Sequence, residues 1–174
     1  AETCPHYFTL TDELVKSFNP NLKVNPPLRT QDDIDAIKAG LKDGTIDVIA
    51  TDHAPHTEAE KDVEFNLAPP GMIGLETAIS LAIGELVENK VLSFADMINK
   101  MAVLPSQILG LKEKGSLSVG SDADITILDP NVTWVVKKEE IFSKSKNTPF
   151  LGKTLKAKVI YTICGGKIVF ATEK

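Results

Sequence analysis

At 174 residues, 43% of them hydrophobic, the chain is long enough for one globular core and a second small one. A charged fraction of 25%, with no like-charge block, excludes a disordered chain as the default. The formal charge of −5 argues against nucleic acid as a partner, because phosphate binding takes clustered Lys and Arg.

In chain order, residues 1–5 read as the end of a short strand. Thr30 can cap a helix with Asp33 at its third position, Ile34, Ile37 and Leu41 on one face, and Gly44 as the stop. TIDVIAT (45–51) is rich in β-branched residues and nearly continuous in apolar character, as in a strand buried on both faces of a parallel sheet. Residues 53–73 have no sustained period and contain Pro55, Pro69 and Pro70; a loop of that length in a compact domain is usually functional or disordered. A long helix is predicted next, with Leu75, Ala78, Ile79, Ala82, Ile83 and Leu86 on one stripe. Ser93 caps another, with Asp96 at its third position and Phe94, Met97, Ile98 and Met101 facing inward. Leu104-Pro105 opens a short helix that Gly110 ends.

After Gly115 the texture changes. ADITIL (123–128), VTWVV (132–136), KVIYTIC (158–164) and KIVF (167–170) read as strands, the last two joined as a hairpin by Gly165-Gly166. Residues 1–112 therefore read as βα units and residues 113–174 as a small β-rich module. No apolar run reaches the about 18 residues of a membrane helix. The opening AETCPHYF has no leader-like pattern, so neither a membrane partner nor secretion is expected. Cys4 and Cys164 lack CxxC spacing, which fits a reducing cytoplasmic compartment. The chain starts without Met on a strand-like phrase and reads as a fragment.

Chemistry concentrates in Thr51-Asp52-His53-Ala54-Pro55-His56, at the C-terminal end of the buried strand. In a (β/α)8 barrel, catalytic side chains sit on that rim. Asp52 could ligate a divalent metal or act as a general base; equally, it could cap the following loop through backbone amides. Lys23-Val24-Asn25-Pro26-Pro27-Leu28-Arg29 could hold Asn25 toward a ligand on a rigid Pro-Pro corner, or be a plain turn into the Thr30 helix. Pro69-Pro70-Gly71 could bring backbone close to a ligand or merely turn the chain.

Taken together, ETCPHYF (2–8), NPPLR (25–29), ATDHAPH (50–56), APPG (68–71) and NTPF (147–150) resemble the cyclic amidohydrolases, and among them the class I dihydroorotases. The resemblance runs in order through essentially the whole chain. It implies the C-terminal part of a metal-dependent (β/α)8 TIM-barrel hydrolase plus a small β-sandwich module, to which GSLSVGSDADITILD (115–129) is similar. It also implies reversible cyclisation of N-carbamoyl-L-aspartate to dihydroorotate in pyrimidine synthesis, with one or two zinc ions at the barrel rim. Asp52 matches the aspartate that ligates metal and carries the proton. Asn25 and His56 match positions that contact substrate, and Pro70 and Gly71 match a loop whose main chain closes on it. His6 matches a strand that gives no ligand, and His53 should point away and pack.

The family's His-x-His phrase, its mid-barrel carboxylate or carboxylated lysine and its two later histidines have no match here. A barrel of this kind takes about 250 residues, so the first six strands lie outside this sequence. The resemblance therefore assigns catalysis to a parent polypeptide, with this chain alone inactive, without stoichiometric zinc and inclined to self-associate through its cut surface. Allantoinase and dihydropyrimidinase are the rival enzymes, against which His56 and Asn25 argue. A non-catalytic scaffold is the rival of another kind.

Overall fold

The computed structural model describes residues 1–172 as a mixed α/β chain with a two-stranded parallel pair and a three-stranded antiparallel sheet. Strand β1 (Glu2–Thr3) pairs with β2 (Val48–Ile49). The strand predicted over 45–51 is thus only two residues long. A ladder needs a partner at each rung, and β1 offers two residues. Asp47 N–H and Ala50 N–H extend the junction by donating to Ala1 O and Thr3 O, both at 2.9 Å.

Between them runs α1 (Gln31–Asp43), started by a complete Thr30/Asp33 capping box and ended at Gly44 with φ +86°. Ile34 and Leu41 are buried and Ile37 is partly so. The 53–73 stretch carries a short helix, α2 (Glu58–Lys61), with its own Thr57/Glu60 capping box. It closes back on itself through a parallel bridge between His53 and Met72.

The next helix, α3 (Ala78–Ala82), continues as a wider π-type segment over Ile83–Glu88. Ala78, Ala82, Ile83 and Leu86 are buried as predicted, but Leu75 lies before the helix and is 61% exposed. Ser93 caps α4 (Phe94–Ile98) by accepting from Asp96 N–H at 3.1 Å. Met97 is wholly buried while Phe94 is 41% exposed: both lie on one stripe, but the rest of the chain leaves the first turn uncovered. Helix α4 runs through a π segment, Asn99–Val103, directly into α5 (Leu104–Ile108). Where two helices were expected, the chain stays helical. Pro105 has no N–H to donate to the preceding turn, and the widened segment stands there.

Strands β3 (Ile125–Val135), β4 (Thr154–Cys164) and β5 (Lys167–Ala171) form the sheet in that order. The two strands expected over 123–136 are one. Register shifts at Ile127/Leu128 and Asp129/Thr133 absorb Asp129-Pro130-Asn131 as an irregularity, as a missing proline donor requires. Across Gly165-Gly166, with φ +55° and +76°, Cys164 pairs with Lys167. That is the mirror-image turn a two-residue hairpin favours.

Two apolar clusters hold these parts together. One joins Leu10, Leu22, Val24, Leu28, Met72, Ile73 and Leu81 to Val136, Ile141 and Phe150. The other joins Phe8, Leu41, Ile49, Ala82, Ile83, Leu86, Leu92 and Met97 to Ala157, with Leu128 against it. Both draw on residues before and after position 113. A polar joint reinforces the contact: Ser80 Oγ and Trp134 Nε1 donate to Ala157 O at 2.7 and 2.8 Å.

Candidate active site

The site lies where β1 and β2 end. Because the two strands are parallel and in register, Thr3 against Ile49, the residues that follow them emerge side by side. Those are Cys4 to Tyr7 on one side and Thr51 to His56 on the other. Asp52 takes a left-handed backbone, φ +48°, a region that Asp tolerates better than most residues. Its exposed carboxylate, the Cys4 thiol and the His6 imidazole bring one ligand atom each within 4.8 Å of one another.

Cys4 and His6 are buried. Burial, and then the Asp52 and Glu2 charges, push the Cys4 thiol up to about 12. Burial pushes the His6 imidazole down to about 4, only partly offset by Asp52, so the ring is neutral at pH 7. Its Nε2 is buried with no hydrogen-bond partner among the described residues. Burial, then the Asp52 carboxylate and Cys4, also raise the Tyr7 phenol to about 12.

Tyr7 links this cluster to the second predicted phrase. Its hydroxyl donates to Pro26 O at 2.8 Å, holding the corner where Asn25 is exposed ahead of a cis Asn25–Pro26 bond. Two residues earlier, Lys23 O accepts from Gly71 N–H at 2.8 Å. Gly71 has φ +133°, and an added Cβ would stand 2.7 Å from Ala54 Cβ and 3.0 Å from His56 Nε2. Only glycine lets the 70–71 turn approach so closely.

His56 closes the circuit, with Nε2 donating to Pro70 O at 3.0 Å. A carbonyl can only accept, so Nε2 carries a proton, and Nδ1 faces the Glu60 carboxylate at 4.0 Å. The structure thus brings Asn25, Asp52, His56, Pro70 and Gly71 to one end of the βα region. His53 sits apart in role: its Nδ1 accepts from Gly74 N–H at 3.1 Å and holds the start of the next segment.

From the sequence, His6 is expected to give no ligand, because its strand matches one that contributes none, and Cys4 carries no signal for a site role. The structure sets both against Asp52. It also reveals two residues to which no role had been given. Lys61, buried, donates to Pro20 O and Pro69 O at 3.0 and 2.8 Å. Asn147, in the connection that leads into β4, reaches the rim and bonds to Ala54, His56 and Gly71. The NTPF phrase that contains Asn147 was a visible signal, but it carried no spacing from which a role could be read.

Cys4, His6 and Asp52 set a thiol, a neutral imidazole and a carboxylate around one point. A ligating cysteine must give up its proton, which burial here opposes, so the imidazole and the carboxylate are the stronger metal donors of the three. A separate groove of about 710 Å³ lies away from these residues, lined by Glu76, Trp134, Phe142, Lys158 and Phe170 among others.

This mixed α/β architecture has clear relatives. The chain belongs to the amidohydrolase family, whose family model matches residues 8–169. It is 57% identical over 170 residues to a dihydroorotase of Endomicrobium trichonymphae, covering 98% of this chain and 40% of that protein. To a dihydroorotase of Geotalea daltonii it is 56% identical over 168 residues, covering 97% and 39%. Among solved structures, L-hydantoinase (dihydropyrimidinase) from Arthrobacter aurescens superposes with a TM-score of 0.92 at 29% identity, over 99% of this chain and 39% of that one. Dihydropyrimidinase from Brevibacillus agri gives 0.90 at 25% identity, over 98% and 39%. The chain spans about 40% of the length of the curated relatives it matches.

Proposed function

We propose that the chain forms the C-terminal part of a dihydroorotase, with residues 1–112 supplying the last βα units of a (β/α)8 barrel and residues 113–174 a small β-sandwich module. The whole enzyme would interconvert N-carbamoyl-L-aspartate and dihydroorotate. The observation that carries this is the convergence of Asn25, Asp52, His56 and the 70–71 main chain on one rim, in a chain more than half identical to proteins named dihydroorotase. The L-hydantoinase and the dihydropyrimidinase are similar in fold, but at 29% and 25% identity they weigh less for specificity.

In this reading Asp52 helps hold zinc, and a bound zinc ion supplies Lewis acidity to the ring carbonyl. The Asp52 carboxylate takes a proton from the attacking water as the new C–O bond forms. It returns that proton to the ring nitrogen as the C–N bond breaks; cyclisation is the reverse. Asn25 and His56 orient the substrate's polar groups, and the Pro70–Gly71 main chain closes over it. The remaining ligands belong to the part of the parent outside these residues, so the chain alone is proposed to be inactive. Exposed Phe142, Ile168 and Val169 support self-association of the isolated chain, which sedimentation at micromolar concentration would reveal; a monomer at every concentration would refute it.

The decisive test is Asp52→Asn in the full-length protein. Dihydroorotate turnover should fall by about 10²–10⁴-fold, as loss of a positioned acid–base group does, with the melting temperature unchanged. Near-normal turnover would remove Asp52 from the mechanism.

A further inference from the structure

We infer that Asn147, which belongs to the C-terminal module, is a positioning residue for the substrate site: its one side-chain amide sets the relative placement of His56 and the Pro70–Gly71 turn. The inference rests on the reading of His56 and Gly71 as substrate contacts.

Asn147 is only 4% exposed, and its amide is fully engaged. Oδ1 accepts from His56 N–H at 3.1 Å. Nδ2 donates to Ala54 O at 2.9 Å and to Gly71 O at 3.2 Å. Its own main-chain carbonyl accepts from Ile73 N–H at 3.0 Å. Four bonds therefore run from one residue to both ends of the 53–73 stretch. None of them is a strand ladder, and the partners lie 74 to 93 positions away in sequence.

The chemistry required is specific. The position must present one acceptor to an amide and two donors to carbonyls, in one plane, within a buried site. Among uncharged side chains only a carboxamide does this, and Gln would place it one methylene further out. Asp is isosteric but would set a carboxylate oxygen against two carbonyls, leaving buried acceptors unpaired. The ring of His56 and the backbone of Gly71 already touch through the Pro70 carbonyl. A displacement at Asn147 is passed to both contacts at once. Residues supporting a site in this way typically cost about 10- to 100-fold when removed.

The test uses the full-length protein with dihydroorotate as substrate, comparing Asn147→Ala, His56→Asn and the double variant. Asn147→Ala should lower kcat/KM by about 10- to 100-fold, mostly through KM, and the double variant should be no worse than the more impaired single one. Additive losses, or normal kinetics with only a lowered melting temperature, would overturn the inference and leave the substrate-site reading intact. Normal kinetics for His56→Asn would instead overturn the substrate-site reading and this inference with it. Should Asn147→Ala fail to fold, amide hydrogen exchange in the unaltered protein decides. Protection of the His56 amide supports the bond to Asn147, and exchange at the rate of a free loop overturns it.

Discussion

The 53–73 rim and the β3–β5 sheet are held in opposite ways. The sheet is a main-chain object: an antiparallel ladder with its register set by a two-residue Gly-Gly turn, tolerant of side-chain identity along much of its length. The rim has two short capped or bridged pieces and a few single main-chain bonds, such as Gly71 N–H to Lys23 O; beyond these its backbone hangs on side chains. Lys61 bonds two carbonyls, His53 two amides, His56 one carbonyl and Asn147 three main-chain groups through its side chain. A ladder survives many substitutions because each rung is a backbone pair. A backbone hung on single side chains loses its shape with one of them. A site that must aim a carboxylate, an imidazole and a turn at one small molecule is built in the second way, since no regular ladder brings these groups together.

The largest expected effect tests whether the two regions are one cooperative unit. Met72, at the end of the rim, is buried in the cluster that also contains Val136, with Trp134 of β3 packed against it. Met72→Ala should cost about 2–5 kcal/mol, as other truncations of large buried side chains do. Rim and sheet should lose hydrogen-exchange protection together; separate transitions would break the view that they share a core.

Next come paired glycine substitutions. At Gly71 an alanine meets both a positive φ and contacts at 2.7 and 3.0 Å, whereas at Gly165, φ +55°, nothing lies within 4 Å. Gly165→Ala should cost about 1–2 kcal/mol from backbone strain alone. Gly71→Ala should exceed it and lower kcat/KM in the full-length protein as well. Equal losses in chemical denaturation, with activity kept, would show that the rim tolerates displacement.

The smallest effect concerns Lys61, whose ammonium is pushed down to about 8 by burial and then by Lys23. Its folded value lies below its unfolded one, so between about pH 8 and the ordinary lysine range the unfolded chain binds more protons. Stability contributed by this group should therefore rise with pH across that window. Lys61→Met should flatten that rise in denaturant titrations and also loosen the Pro69 carbonyl. An unchanged slope would mean that the ammonium is freely solvated.

Much of this molecule was legible in the sequence wherever structure is local. The Thr30 and Ser93 caps, the Gly44 stop and the Gly165-Gly166 hairpin each depend on a few adjacent residues, and each stands where those residues predict it. Leu75 and Phe94 were misplaced, because an apolar stripe does not say where a helix begins or which face the rest of the chain covers. Asp52, Asn25 and His56 could be picked out because their phrases are distinctive. The tertiary structure decided their company. Cys4 and His6 come beside Asp52 through a parallel pairing 46 positions apart, and Asn147 reaches the rim from 91 positions beyond His56. Side-chain bonds of that range leave no period or spacing in the sequence, since they depend on where two distant backbones end up after the core has closed.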